Sequence, residues 1–281
     1  MLAGVSKSYY NGTPLERRAL EGVDLTLRAG QVTLLAGGMG SGKSTILRIA
    51  AGLEQPDAGM ATLAGRPVRA GEVGLLFQKS ERQLFASTVI DDVAFGLVAD
   101  GMPRSEAREA AAEALASVGL DPAEYGERSP FGLSGGQARR VAFAGMLVRH
   151  PAFVLLDEPL AGLDAQGSAF VVSLISKLCA EGAGVLVVSH DLDMLLPESD
   201  EVVLLKKGRV VWGGSTRELV AAPYRFDHAG LELPALLRFQ ERMGVPRGSY
   251  VLSAPDVAQA SLRWWTAEAS RRAGVEGQVA R

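Results

Sequence analysis

The sequence predicts an α/β fold with a mainly parallel sheet, and three observations predict it. Apolar runs of strand length lie at residues 31–36, 72–78, 152–157, 184–189 and 202–205, and such runs suit strands covered on both faces. Helical patterns lie between several of them, notably at 105–118, 137–149 and 165–180, and that alternation is the mark of parallel βαβ units. Glycine is abundant, 33 of 281 residues, against a usual share of about 7%. Several loops must therefore bring backbone close to a ligand.

Along the chain, the first 35 residues alternate in a β-like way, with Val23, Leu25 and Leu27 on one face. Residues 31–36 form a short buried strand, followed by glycines and then a helix over about 43–53. The block from about 88 to 150 carries helices and almost no strand signal, so it reads as a helical insertion in the α/β domain. From Tyr224 the character changes, and residues 231–243 read as an amphipathic helix. The last residues, from about Thr266, are small and polar and are expected to fray. Trp264-Trp265 is a helix-packing patch or part of a dimer contact. No repeat with a period of 20–50 residues is visible.

Composition removes several function classes. Hydrophobic residues make up 47% and charged residues 22%, which is a globular balance with enough chain for a real core. The net charge is −3, so the positive excess of a nucleic-acid binder is missing and no nucleic acid is expected as partner, although a neutral total leaves room for local basic patches. The single cysteine, Cys179, excludes an intrachain disulfide and a cysteine zinc cluster. Three histidines, His150, His190 and His228, make a His-rich metal cage improbable. The longest uncharged stretch, residues 29–42, has 14 residues, short of the ~18 a membrane helix needs. The N-terminus lacks a secretion signal, and a cytosolic chain is expected.

The chemistry is carried by two motifs. Gly37-Gly38-Met39-Gly40-Ser41-Gly42-Lys43-Ser44-Thr45 fits the phosphate-binding loop pattern, after one predicted strand and before a predicted helix. Its glycines let backbone N–H groups converge on phosphate oxygens, and the helix start adds partial positive charge. Lys43 would reach the β- and γ-phosphates, the Ser44 hydroxyl would ligate Mg²⁺, and Thr45 would sit near the α-phosphate. Phe153-Val-Leu-Leu-Asp157-Glu158 is an apolar strand ending in two carboxylates. An acid pair on a buried strand needs a cation nearby: Asp157 would hold Mg²⁺, usually through water, and Glu158 would polarise the water that attacks the γ-phosphate. The two motifs together predict a nucleoside triphosphatase.

Leu133-Ser134-Gly135-Gly136-Gln137 opens a second helix whose Ser134 hydroxyl and glycine N–H groups form another phosphate-binding start. Two such starts with one phosphate loop suggest a head-to-tail dimer, each signature loop closing the other chain's ATP. At this point the sequence resembles the ATP-binding cassette (ABC) ATPases over about residues 2–220. Gln78 matches that family's Q-loop, Leu160-Ala-Gly-Leu-Asp164 its D-loop, Ser189-His190 its switch histidine, and Tyr9, or else Tyr10, the aromatic that stacks on adenine. The resemblance implies that Gln78 senses Mg²⁺ and the attacking water, that His190 touches the γ-phosphate, and that Asp164 bridges the dimer near the partner's phosphate loop. Taken singly, Gln78, His190 and Tyr9 have plainer readings as a strand-end polar residue, a helix cap and core packing.

A narrower resemblance is to the ATPase subunit of energy-coupling factor (ECF) transporters. It rests on Asn11-Gly-Thr-Pro-Leu-Glu16 with Ala19-Leu20, on Glu81-Arg-Gln-Leu-Phe85, on Thr88-Val-Ile-Asp-Asp-Val-Ala-Phe-Gly96, on the stretch 130–145 and on the C-terminal 233–246. It implies a P-loop ABC ATPase core with a mainly parallel sheet, an antiparallel β subdomain, a helical subdomain at about 88–150 and a C-terminal helical extension. The nucleotide-binding domain would span 1–223 and the extension, a candidate dimerisation element, 224–281. The implied protein binds and hydrolyses ATP with Mg²⁺ to power uptake of a vitamin or a transition-metal ion. It sits peripherally on the cytoplasmic side of the cell membrane. Its implied partners are a second ABC ATPase, a membrane scaffold subunit docking in a groove near Arg82 to Phe85, and a small membrane substrate-binding subunit. Two departures stand out: Lys79-Ser80 replaces a Pro-containing stretch, and Leu160 stands where Thr or Ser is common. The alternatives are another ABC importer class, or a non-transport ABC ATPase acting on DNA or ribosomes. Against the latter stand the short Lys43-to-Asp157 separation and the single cassette. Intact Glu158 and His190 argue against a cassette that binds ATP without turnover.

Overall fold

The computed structural model describes residues 1–252, save the side chains of Glu81 and Arg82. Expectations for the Trp264-Trp265 pair and the terminal tail lie outside the described residues, as does the part that Arg82 would play in a docking groove. The chain opens with strands β1 (Leu2–Tyr9) and β2 (Arg17–Leu25), then β3 (Val32–Gly37) and helix α1 (Lys43–Ala50). β4 (Ala58–Leu63), β5 (Arg66–Pro67) and β6 (Gly74–Leu76) follow. The next block holds α2 (Val89–Ala99), α3 (Arg104–Ser117), α4 (Pro122–Tyr125) and α5 (Gly135–Leu147), with no strand among these residues. The chain then alternates through β7 (Phe153–Asp157), α6 (Ala165–Ala180), β8 (Gly184–Val188), α7 (Leu192–Leu195), β9 (Glu201–Lys206) and β10 (Arg209–Ser215). It closes with α8 (Thr216–Ala221), α9 (Tyr224–Ala229) and α10 (Ala235–Arg242).

Two sheets result. The larger has order β10-β9-β3-β8-β7-β6 and is parallel except for the antiparallel edge strand β10. Strands β3 and β8 are buried along their whole length, which is why they read as continuous apolar runs instead of alternating ones. The smaller sheet is antiparallel, with order β2-β1-β4-β5. Within β2, Val23 and Leu25 are buried while Gly22 and Asp24 face out, as the alternation predicts; Leu27 lies past the strand end.

Element limits shift where caps decide them. The signature helix begins at Gly135, two residues earlier than the apolar period suggests, because Ser134 and Gln137 form a capping box. The segment predicted as one helix at 231–243 is helical only from Ala235, with Pro234 at its cap: the proline ring suits a helix start and cannot sit inside one. The C-terminal helices are not detached. Phe226, Leu237, Val245 and Tyr250 belong to the same apolar core as β3, β8 and α5. Gln240, wholly buried, holds the following chain by donating to Val251 O and accepting from Val251 N, at 2.8 and 2.9 Å.

Candidate functional site

Parallel strands place their carboxyl ends on one edge of the sheet, and ligands of such folds bind beyond that edge. The order β3-β8-β7-β6 is contiguous in the larger sheet. Following these strands, in that order, are the loop to Lys43, then Ser189-His190, then Asp157 and Glu158 at the end of β7, and then Gln78. Segments spread over some 150 positions of chain are thereby set side by side.

The phosphate loop is shaped by glycine. Gly42 has φ +112°, and a Cβ there would stand 2.7 Å from Ala19 O and from a Leu20 methyl. No side chain caps α1 and no acid lies in its first turn, so the first-turn amides are left to an anionic ligand. Lys43 folds over its own loop, its Nζ donating to Gly37 O at 2.6 Å and Gly38 O at 3.1 Å. Burial pushes the Lys43 ammonium down, against the upward pull of the Glu158 and Asp157 charges. The Ser41 hydroxyl is buried inside the loop with no hydrogen-bond partner among the described residues.

Ser44 Oγ donates to Asp157 Oδ2 at 3.3 Å, closing the gap between the two motifs. Burial raises the Asp157 carboxyl above its ordinary range, and the neighbouring Glu158 charge adds to the rise. A hydroxyl and a carboxylate side by side, with no larger cluster of acidic, His or Cys ligands among the described residues, fit Mg²⁺ well. This ion keeps several waters and takes only one or two protein oxygens beside phosphate.

Glu158 adopts a left-handed backbone with φ +49°, an uncommon conformation for a residue with a side chain and a feature of functional turns. Its N–H donates to Val188 O at 2.8 Å, so the turn is pinned to β8. One carboxylate oxygen, Oε2, collects Ser189 Oγ at 3.0 Å, His190 N at 3.3 Å and His190 Nδ1 at 2.8 Å. The His190 ring is otherwise open, at 72% side-chain exposure. His190 is not the cap of the next helix; Asp191 caps α7 through Met194 N. Gln78 is exposed just past β6.

Tyr9 stands at the end of β1 with its hydroxyl tied down. It donates to Glu54 Oε2 at 2.9 Å, receives Arg48 at 2.9 Å and lies 3.3 Å from Thr45 Oγ1. Tyr10 is exposed, with φ +58°. Both tyrosines line one cavity of about 330 Å³ with Arg17 and residues 40–45. The signature residues Ser134, Gly136 and Gln137 line a different one with Asp164. Gly135 and Gly136 are exposed, and a Cβ on either would meet nothing within 4 Å. Ser134 accepts from Gln137 N, and Gln137 Oε1 accepts from Ser134 N. Asp164 caps α6 by accepting from Gly167 N at 2.7 Å. The fold therefore brings the phosphate loop, acid pair and histidine together but gives the signature and Asp164 a cavity of their own.

Sequence reasoning missed two members of this neighbourhood. In sequence Ser189 is only the neighbour of the histidine, yet its buried hydroxyl grips Glu158. Arg139, inside the signature helix, is buried and bonded to loop carbonyls on either side. The only signal in sequence was an arginine on an otherwise apolar helix face. Leu160, unusual at its position, is buried in the main core.

Known proteins resemble this chain over most of its length. A family profile described as ABC transporter matches residues 20–161. The energy-coupling factor transporter ATP-binding protein EcfA2 of Symbiobacterium thermophilum is 40% identical over 249 residues, covering 85% of this chain and 86% of that protein. Its namesake in Thermotoga maritima is 40% identical over 223 residues, covering 78% and 84%. Among solved structures, cbiO1 of Clostridium perfringens, part of the ABC transporter complex cbiONQ, superposes with a TM-score of 0.70 at 31% identity, covering 85% of this chain and 97% of that one. The ATP-binding cassette MJ0796, in a dimeric post-hydrolysis state with ADP and phosphate, gives 0.68 at 28% identity, covering 76% and 97%.

Proposed function

Since the chain belongs to the ABC transporter ATPase family, we propose that it is the ATP-hydrolysing subunit that powers small-solute uptake through an ECF-type membrane transporter. The observation that carries the chemical half is the Ser44–Asp157 contact, which sets the phosphate loop against the acid-ended strand with Glu158 beside it. The carboxyl-edge placement of Gln78 and His190 supports the same reading.

On this reading the loop amides and Lys43 hold the β- and γ-phosphates, exchanging the loop carbonyls that Lys43 now contacts for phosphate oxygens. Ser44 and Asp157, with Gln78, would hold Mg²⁺, which would supply charge neutralisation at the phosphate oxygens. Glu158 accepts a proton from water as the water oxygen attacks the γ-phosphorus and the bond to the β–γ bridging oxygen breaks. Ser189 and His190 fix the acceptor oxygen, and the exposed side of His190 faces the γ-phosphate. Tyr9 stacks on adenine, its hydroxyl held by Glu54 and Arg48. Because the signature and Asp164 line a separate cavity, they serve the ATP of a second cassette, identical or similar. Closure of the pair follows if ATP binds the closed state better than the open one.

Docking is proposed in the groove between the core and the helical block. Phe85 and Phe95 meet edge-to-face with centroids 4.8 Å apart, and both are more than half exposed. The Asp92 carboxylate accepts from Phe85 N and Ala86 N, each at 2.7 Å, and so presents this ring pair. A membrane scaffold subunit would seat short helices there and hold a small substrate-binding subunit. No helix of the described residues is long and apolar enough to cross a membrane, and the chain would work at the cytoplasmic face. In the test, Lys43→Ala abolishes ATP-dependent association while Glu158→Gln keeps ATP binding and traps the associated state. Association of Lys43→Ala on ATP, or normal turnover by Glu158→Gln, would defeat the scheme. Tagged chain drawn from gently solubilised membranes should bring a second cassette and a small scaffold protein. An extracellular binding protein with a conventional permease pair would instead point to another importer class.

A further inference from the structure

Arg139 lies in the second turn of α5, about 6 Å along the axis from the first signature glycine, and is only 7% exposed. A buried guanidinium must find acceptors for its N–H donors. One nitrogen donates to Gln78 O at 2.8 Å. The other donates to Pro159 O at 2.9 Å and to Ala161 O at 3.0 Å. Pro159 and Ala161 belong to the turn that holds Glu158, in which Ala161 N donates to Glu158 O at 3.1 Å. That turn runs on into Asp164, the cap of α6.

One planar group thus fastens the signature helix to the glutamine loop on one side and to the Glu158 turn on the other. These three acceptors are backbone carbonyls, so the contacts act directly on where the two loops run. Loss of the guanidinium leaves the buried Pro159 carbonyl and the half-buried Ala161 and Gln78 contacts short of a donor, and a buried polar group without a partner costs more than the net worth of a bond. Lysine cannot replace it, since a point charge on a flexible stem does not span acceptors held by a rigid fork.

We propose that Arg139 is a positioning residue for ATP hydrolysis: it fixes Gln78 and Glu158 relative to the signature end of α5, so that displacement of this helix reaches both. The proposal rests on the ATPase reading above. It makes the state of the signature, which faces one ATP, felt at the loops that act on the other.

Arg139→Gln and Arg139→Lys are compared with wild type in the full-length chain, purified with the subunits that accompany it. Steady-state hydrolysis, equilibrium ATP binding and the melting temperature without nucleotide are measured. Misplacing a reacting group by up to 1 Å costs as much as about 100-fold, so kcat is expected to fall about 10- to 100-fold in both variants. KM and the ATP dissociation constant should stay within about threefold, because uniform binding by Lys43, Ser44 and Tyr9 is untouched. Should the Gln variant fail to fold, the Lys variant, which keeps the buried charge, carries the same test. Wild-type kcat in the Lys or the Gln variant overturns the proposal. So does a fall of ATP affinity in step with kcat, which marks a general loss of structure. If the wild-type complex binds ATP without hydrolysing it, the ATPase reading itself falls; if wild type hydrolyses and the variants match it, only the role of Arg139 falls.

Discussion

At Asp157 the price of function is visible in a single group. Its carboxyl is held above the ordinary range first by burial and then by the Glu158 charge, and the Ser44 bond and Lys43 only partly offset this. The native state without ligand therefore binds the Asp157 proton more tightly than the unfolded chain does. This group's contribution to stability is greatest at pH below its unfolded value and falls as pH rises from there through its native value. Asp157→Asn keeps an acceptor for Ser44 and removes the charge. It should raise the melting temperature of the ligand-free chain at pH 7, by about 2–4 °C for each kcal/mol relieved, and raise it less at pH 4. The same variant should lose the extra stabilisation that wild type gains from ATP with Mg²⁺ over ATP alone. Equal gains at both pH values would show that the charge is not what burial penalises. Lys43, Asp157 and Glu158 were legible because the phosphate loop and the acid-ended strand are local patterns. Ser189 and Arg139 were not, because each acts on a residue or carbonyl tens of positions away.

Among the elements, α1 and α5 start in opposite ways. α1 begins at a glycine whose left-handed φ and lack of room forbid a side chain, and no side chain caps it. α5 begins with a closed capping box, and its glycines at 135 and 136 have open space where a Cβ would go. The fold does not need those two glycines; a ligand approaching the backbone does. Gly136→Ala should leave the chain as stable or more stable, by up to about 1 kcal/mol, while ATP turnover by the assembled pair collapses. Thermal melting and ATPase measurements on the same preparation decide it. A drop in melting temperature would mean that the glycine serves the fold after all. The start of α5 followed its capping box, the start of α1 its glycine turn and the strands their apolar runs, so the elements were readable to within a few residues.

For the whole molecule, the C-terminal helices are part of the core more than an appendage. Phe226 and Leu237 have no exposed surface and join the cluster that includes β3 and α5. Ala235 N donates to Asp193 Oδ1 at 2.6 Å, linking α10 to the helix that follows His190. Burying a large apolar side chain stabilises by about 1.5–3 kcal/mol, and a domain has only about 5–15 kcal/mol in total. Ending the chain after Ala222 should therefore lower the melting temperature by about 10 °C or more or leave it aggregated. A truncated chain that melts like wild type would show the segment to be independent. Nothing in the amphipathic pattern of residues 231–243 said which surface its apolar face covers, since a dimer partner and the chain's own sheet satisfy the same periodicity.

By itself the sequence determined the α/β class, the helical block, the phosphate loop and the acid pair. These are written in short windows where spacing and backbone chemistry act within a few residues of each other. Only the tertiary structure decided that the ends of β3, β8, β7 and β6 form one edge. It also decided that Glu158 is gripped by Ser189 and His190, that Arg139 joins three loop carbonyls, and that the C-terminal helices cover the chain's own core. The physical reason is range. A cap or a glycine turn is settled locally, whereas a buried hydrogen bond between distant residues exists only after the hydrophobic core has chosen which segments become neighbours.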